Sequence, residues 1–158
     1  MANYVFGTVG LGKVGQYVQN VIDNSPANSA IIWVPMSSSG TAEQAETLAT
    51  MALVESDANF AEQTGGSWSR ITQDDAGDGL AYAFDATNNR NEADSTDLVW
   101  AGPTLNTVGL IACYDPDTTA GTDTTLIPLL HLDMVVTGNG QQVTFQFNAE
   151  GWFNATRT

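Results

Sequence analysis

Basic residues are scarce in this chain. Its 158 residues include four lysines and arginines against 18 aspartates and glutamates, which gives a formal net charge of −14 at pH 7. Binding to nucleic acid depends on cationic side chains that displace phosphate counterions, and anionic membrane surfaces attract basic segments in the same way. The composition therefore argues against nucleic acid and membrane surfaces as partners.

Cysteine and histidine occur once each, as Cys113 and His131. One cysteine excludes an internal disulfide, and one histidine with one distant cysteine cannot supply the ligands of a zinc site. Cys113 lies in a short apolar run, so we predict that it is a small buried hydrophobe. For His131 we predict a hydrogen bond to Asp133 on a half-exposed strand.

Long apolar runs are also missing. No run approaches the roughly 18 to 20 residues that cross a bilayer. The N-terminus lacks the basic flank, apolar centre and small-residue cleavage site of a secretory signal peptide. We therefore expect the protein to be made and kept in the cytoplasm of the cell that synthesises it.

Helical periodicity is confined to the N-terminal third of the chain. Apolar residues spaced for one face of an amphipathic helix are Val14, Tyr17, Val18, Val21 and Ile22, and Pro26 ends this predicted helix. A strand is predicted over residues 30–36. Thr41 and Gln44 fit a capping box, which predicts a second, weakly anchored helix with an alanine-rich buried face over residues 45–53.

From residue 65 onward the pattern changes to short strands and turns. The predicted strands cover residues 68–72, 80–84, 98–100, 110–114 and 126–136. Gly138-Asn139-Gly140, followed by alternating Val143, Phe145 and Phe147, is typical of a hairpin closed by a tight turn.

The order of these elements predicts an α+β fold that is mainly β. We expect an antiparallel β-sandwich or open barrel with one or two N-terminal helices. No linker or internal repeat divides the sequence, so residues 1–158 are expected to form a single domain. Within it, residues 1–12 are interpreted as an edge strand or an extended N-terminal arm.

A G-x-G-x-x-G motif at residues 10–15 precedes the first predicted helix. In dinucleotide-binding folds these glycines let the backbone approach a pyrophosphate, and the next strand ends in an acidic residue for the ribose. Here that strand ends in Met36-Ser37-Ser38-Ser39, and the next carboxylate is Glu43. We therefore interpret the glycines as a flexible lead-in to the helix and predict no cofactor.

Clustered carboxylates offer two further candidate sites. Asp115-Pro116-Asp117 with Gly121 and Asp123 resembles a calcium-binding loop. An EF-hand loop has glycine at its sixth position and glutamate at its twelfth, whereas here glycine is at the seventh position and leucine at the twelfth. We predict an Asx/Pro turn there. Asp74, Asp75 and Asp78 lie in a glycine-rich stretch and are interpreted as solvated. No G-x-S-x-G surrounds a serine that His131 could activate, so we predict no catalytic residues and no metal site.

The four tryptophans are Trp33, Trp68, Trp100 and Trp152. They lie in predicted strands or at strand ends, where core packing is the expected role. The alternative is that they are exposed and serve as the sugar-stacking platforms of a carbohydrate-binding module.

The segments CYDPDTTAGTDTTLIPLLHLDMVVTGNG (residues 113–140) and TFQFNAEGWF (residues 144–153) resemble small virion proteins of tailed bacteriophages, especially those that infect actinobacteria. In the N-terminal half, ANYVF at 2–6, PANSA at 26–30, Val34-Pro35 and TNNR at 87–90 are similar to the same family. The likeness is strongest in the 115–123 loop and the final segment, and weakest over residues 41–80. Proteins of this family are described as minor capsid or head decoration proteins.

The resemblance implies a non-enzymatic structural protein on the exterior of the phage head. It implies that the chain binds the major capsid protein. It also implies that the chain binds further copies of itself, as a homotrimer. The expected location is the capsid surface of the virion, after synthesis in the host cytoplasm. Alternatives from other classes are a neck or tail component and the carbohydrate-binding module.

Apolar residues at the chain ends are the candidate contacts with the capsid or with other subunits. They are Tyr4, Val5 and Phe6 near the N-terminus and Trp152 and Phe153 near the C-terminus. Free apolar tails are otherwise hard to explain on a protein surface. This interpretation predicts that deletion of residues 1–7 abolishes capsid binding and leaves a folded domain.

Overall fold

A computed structural model describes residues 3–7, 11–74, 76–147 and 151–156. Within them lie three helices: α1 (Leu11–Ile22), α2 (Ala42–Ala45) and α3 (Met51–Ser56), with a 3₁₀ turn at Ala76–Asp78. The strands are β1 (Tyr4–Val5), β2 (Ala30–Ser38), β3 (Ala61–Glu62), β4 (Ile71–Gln73), β5 (Ala81–Asp85), β6 (Arg90–Asp94), β7 (Leu98–Trp100), β8 (Thr107–Asp115), β9 (Ile127–Val136), β10 (Val143–Phe145) and β11 (Phe153–Thr156). The predicted class, α+β and mainly β with antiparallel sheets, is confirmed.

A central antiparallel sheet organises the fold. Its strand order is β1-β9-β8-β2-β3, and β4 also pairs with β2. β8 and β9 form its middle hairpin, with Leu110 opposite Leu132 and Ile111 opposite His131. Almost every residue of β8 is buried, as expected for a strand covered on both faces.

The two faces of this sheet support separate apolar cores. One core joins Trp33 and Leu110 of the sheet to α1 and to the smaller sheets through residues such as Val18, Trp100 and Phe153. The opposite core joins the other face of the sheet to α2, α3 and Phe60. The central sheet is therefore the middle layer of the molecule.

Two smaller sheets cover the first face. β10 pairs with β7, and β6 lies between β5 and β11. The predicted hairpin between β9 and β10 is wrong, because β10 pairs with β7 and places Val143 opposite Trp100. Backbone N–H groups of the glycine turn are used elsewhere: Gly138 donates to Asn106 Oδ1 and Gly140 to the Pro103 carbonyl. The turn thus joins two sheets.

The helical predictions are confirmed in part. α1 buries Val14, Val18 and Val21 completely, as its periodicity predicts. The Thr41–Gln44 capping box is present at α2. The prediction of a single second helix is wrong. Thr50 accepts a hydrogen bond from the Leu53 N–H and caps α3, which is a separate helix.

Candidate functional site

Strand β1 lies at one edge of the central sheet. Tyr4 is opposite His131 and Val5 is opposite Leu130 on β9. The Phe6 N–H donates to the Leu129 carbonyl at 3.0 Å. The described N-terminal residues therefore continue the sheet.

Three of the five candidate contact residues at the chain ends are buried within the fold. Phe6 is 0% exposed, while Trp152 and Phe153 are 7% and 6% exposed. Phe6 packs near Phe60, with ring centroids 6.4 Å apart, and Trp152 meets Trp33 edge-on at 5.1 Å. These rings are buried because they fill the two cores.

The other two candidate contact residues, Tyr4 and Val5, are half-buried and lie on β1. Whether any of the five residues contacts a capsid stays a prediction.

His131 anchors β1 from within the sheet. Its imidazole is fully buried, and since most residues of β9 are buried as well, the prediction of a half-exposed strand is wrong. It stacks on Tyr4 with ring centroids 4.7 Å apart and planes 11° apart. Gly109 provides the room, because a Cβ there would collide with His131 Nε2 and lie 2.7 Å from Ser39 Oγ. The predicted hydrogen bond between His131 and Asp133 stays a prediction.

Two contacts hold the Tyr4 side chain: its ring stacks on His131, and its hydroxyl makes a hydrogen bond. Its hydroxyl donates to the Gly40 carbonyl at 3.1 Å. Burial, with a smaller contribution from the Asp133 charge, raises the pKa of Tyr4 to about 12. Tyr4 therefore remains a neutral hydrogen-bond donor at physiological pH, which holds β1 in place.

A recess of about 170 Å³ opens beside β1. We call it the edge slot; Val5, Leu130 and Leu132 line it from the sheet, and Trp152 and Phe153 line it from the covering layer. The Trp152 indole nitrogen is buried and has no hydrogen-bond partner among the described residues. The slot therefore has a mainly apolar lining.

The other three indole nitrogens all donate hydrogen bonds. Trp33 donates to Gln73 Oε1 at 2.6 Å, Trp68 to the Leu105 carbonyl at 2.7 Å and Trp100 to the Ser69 carbonyl at 2.8 Å. All four tryptophans are buried. The predicted core role is confirmed, and the exposed tryptophan platform on which a carbohydrate-binding reading depended is wrong.

The glycine motif before α1 includes a packing position. α1 begins at Leu11, and Gly10 lies outside the described residues. A Cβ at Gly15 would collide with the Tyr82 hydroxyl on β5. At least this glycine is required by close packing between α1 and β5.

The aspartate-rich loops form turns. The Asp117 N–H donates to Asp115 Oδ1 at 3.1 Å, which confirms the predicted Asx turn. In the glycine-rich stretch, the Asp74 N–H donates to Asp78 Oδ2 at 3.0 Å, and Asp74 is exposed as predicted; Asp75 lies outside the described residues. Across the part of the chain that the structure describes, no three His, Cys, Asp or Glu side chains are grouped to hold a metal ion.

Sequence reasoning missed a charged cluster around Arg70. Its guanidinium lies 2.9 Å from Glu55, 2.6 Å from Glu62 and 2.5 Å from Asp123. Hydrogen bonds to Glu62 and Asp123 outweigh burial and raise the pKa of Arg70 further. The partners come from α3, β3 and the loop before β9, so no local sequence pattern could reveal them.

Glu55 carries the unfavourable charge in this cluster. Burial, a hydrogen bond with Glu62 and the Asp123 charge together outweigh the attraction of Arg70, and they raise the pKa of Glu55 to about 6 from 4.5. A raised carboxyl pKa stabilises the fold below the unfolded value and loses that contribution as pH rises through the folded value. Glu55 therefore opposes folding at neutral pH.

Replacing Glu55 with glutamine is expected to raise the free energy of unfolding above pH 6, by less than about 1 kcal/mol because the site is partly exposed. The gain should disappear below pH 4.5, the unfolded value, where the native carboxyl is neutral as well. Urea denaturation at several pH values measures this. Exposed Glu46→Gln is the matched control and should show no such pH dependence. An equal effect of both variants would contradict the assignment.

Cys113 is a buried apolar residue, as predicted. It is 0% exposed, and its Sγ lies 4.0 Å from the Met51 sulfur in the second core. Burial raises the pKa of the Cys113 thiol well above its usual range. The native protein thus keeps it as a thiol.

None of the described helices combines the length and the apolar character that crossing a bilayer requires. Comparison of the chain with protein-family models, with curated proteins and with solved structures found no match.

Proposed function

We propose that this chain is a structural protein of a tailed-phage virion that binds the exterior of the capsid. As a decoration or minor capsid protein, it stabilises the shell by bridging major capsid subunits. The observation that carries the proposal is the position of the phage-like segment. Residues 113–136 form the end of β8, the following loop and all of β9, which is the central hairpin of the fold.

The charge distribution supports an external location. Two of the few cations are already committed, since Arg70 and Arg90 both contact carboxylates. The surplus acidity therefore repels packaged DNA. Crowded acidic copies on one shell also repel one another. Attachment accordingly depends on apolar contacts and backbone hydrogen bonds.

Such a protein acts by mass action. It binds the assembled, expanded shell in preference to free capsid subunits, and this difference in affinity stabilises the shell. Bridging positions on icosahedral shells commonly have threefold symmetry, so three copies are expected to act together as a homotrimer.

The test mixes the purified chain with expanded, undecorated capsids of the phage that encodes it and counts bound copies after sedimentation. Saturable binding in the hundreds per particle is expected, with little loss as salt is raised. Capsids that already carry their decoration protein are the control and should bind little. About a dozen copies would assign the chain to the neck or a unique vertex, and no binding would overturn the proposal.

A further inference from the structure

Asn139 and Gly140 form the one Asn-Gly step in the sequence. Asparagine is chemically labile, because its side-chain carbonyl carbon can be attacked by the backbone nitrogen of the residue that follows. The attack is intramolecular, so its rate depends on how the two groups are placed. Glycine in the second position obstructs the attack least, since it has no side chain and turns freely.

The fold leaves this step open to solvent. Asn139 and Gly140 are both exposed, and a Cβ built at Gly140 would meet no atom within 4 Å. Water therefore reaches the Asn139 amide, and no neighbouring group obstructs the closing of a ring between the two residues.

A hydrogen bond activates the Asn139 side chain. The Gln141 N–H donates to Asn139 Oδ1 at 3.0 Å, which holds the side-chain amide over the backbone that follows, as in an Asx turn. Attack on the side-chain carbonyl places negative charge on this oxygen. A donor that is already aimed at the oxygen stabilises that charge as it develops.

A second hydrogen bond restrains the nucleophile. The Gly140 N–H donates to the Pro103 carbonyl at 2.9 Å, and next to it the Gly138 N–H donates to Asn106 Oδ1 at 3.1 Å. While it donates to Pro103, the Gly140 nitrogen cannot lose its proton and attack. Exposed contacts of this kind open far more often than the whole fold does, so opening of the Gly140–Pro103 contact limits the reaction.

We propose that Asn139 is a site of spontaneous deamidation whose rate is set by opening of the Gly140–Pro103 contact. The Gly140 nitrogen attacks the Asn139 side-chain carbonyl carbon, and the new C–N bond closes a succinimide ring. The C–N bond of the side-chain amide breaks, and its nitrogen leaves as ammonia with the proton lost by Gly140. Water then opens the ring at either carbonyl, which gives aspartate or isoaspartate.

Both products change the turn that joins two sheets. Each adds a carboxylate to a chain that is already acidic. Isoaspartate also routes the backbone through the former side chain, so the Gly138 and Gly140 N–H groups can no longer both reach Asn106 and Pro103. The isoaspartate form is expected to unfold at a temperature lower by roughly 2 to 4 °C, the shift that loss of one hydrogen bond produces in a domain of this size.

The test incubates the folded full-length chain at neutral pH and maps its peptides by mass spectrometry over time. We expect Asn139 to deamidate at least about tenfold faster than Asn59, which is also exposed but precedes the buried Phe60. Both aspartate and isoaspartate should form at residue 139, because a succinimide opens at either carbonyl. The rate should rise with pH, since the attacking nitrogen must lose its proton.

Asn106→Ala tests the control by the turn contacts. It removes the acceptor of the Gly138 N–H and leaves the Asn-Gly step intact, so deamidation at Asn139 should become about three- to tenfold faster. Asn88→Ala, at an exposed position in another turn, is the matched control and should stay within about twofold of the unaltered chain. Thermal unfolding verifies that both variants are folded. The unaltered chain should also react faster in urea than in buffer.

The proposal does not depend on capsid binding, so its failure leaves the proposed function standing. Aspartate without isoaspartate at residue 139 would indicate direct hydrolysis and overturn it. A rate at Asn139 no greater than that at Asn59 would do the same. If neither Asn106→Ala nor urea accelerated the reaction, the Gly140–Pro103 contact would not control it, and the proposal would be wrong on that ground.

Discussion

Replacing Phe6 with alanine is expected to lower the free energy of unfolding by about 3 to 5 kcal/mol, the range for deleting a buried phenylalanine ring. Phe6 is completely buried and belongs to the core that α2, α3 and Phe60 form on one face of the central sheet. Its removal leaves a cavity that the surrounding strands cannot close, because β1 is held on β9. Urea denaturation followed by fluorescence gives the change.

Val135→Ala is the control for Phe6→Ala. Val135 is 76% exposed, so its truncation should change stability by no more than about 0.5 kcal/mol. A loss below about 1 kcal/mol for Phe6→Ala would contradict the burial of the N-terminal strand. For the same reason, deletion of residues 1–7 is expected to destabilise the fold. Loss of capsid binding by that truncation would then not identify a contact surface.

Local patterns predicted the elements whose partners are close in sequence. The spacing of Val14, Val18 and Val21 predicted α1, because one helical face must be apolar to pack on a sheet. The apolar run before Tyr114 and the long run after Leu126 predicted β8 and β9, which are consecutive strands and pair with each other. The Thr41 capping box was also readable, since its hydrogen bonds join residues three positions apart.

Long-range pairings could not be predicted in this way. β1 joins β9 across more than 120 residues, with Tyr4 opposite His131. The glycine turn at 138–140 looked like a hairpin because its local chemistry suits one. β10 instead pairs with β7, where Val143 and Phe145 add to the first core. Burial of apolar side chains thus overrode the local turn preference.

In the candidate site, too, some features could be predicted from the sequence and others could not. Composition correctly indicated that Cys113 and the four tryptophans pack in the interior, because apolar and aromatic residues gain most from burial. It could not indicate that, of the four tryptophans, Trp152 is the one whose indole N–H has no acceptor among the described residues, because this depends on where other strands end. The edge slot likewise exists only once β1, β9 and the segment before β11 are assembled.

Replacing Arg70 with methionine is expected to destabilise the fold by about 1 to 2 kcal/mol at pH 7. Methionine keeps much of the apolar stem but leaves Glu55, Glu62 and Asp123 without their shared cation. Each partly exposed ion pair contributes up to about 1 kcal/mol, and the Arg70 side chain, 28% exposed, makes three of them. Urea denaturation at pH 7 measures the loss.

The pH dependence of Arg70→Met distinguishes charge repulsion from lost packing. Arg70 lowers the pKa of Glu55, which burial and the neighbouring acidic side chains raise. Without the guanidinium the pKa of Glu55 should rise further, so the folded variant binds more protons than the unfolded chain and gains stability as pH falls. Its deficit should therefore shrink between pH 7 and pH 5. Lys13→Met removes the same charge from an exposed position and should cost little at either pH. If the Arg70→Met deficit did not change with pH, packing of the stem would explain the loss and the charged cluster would not.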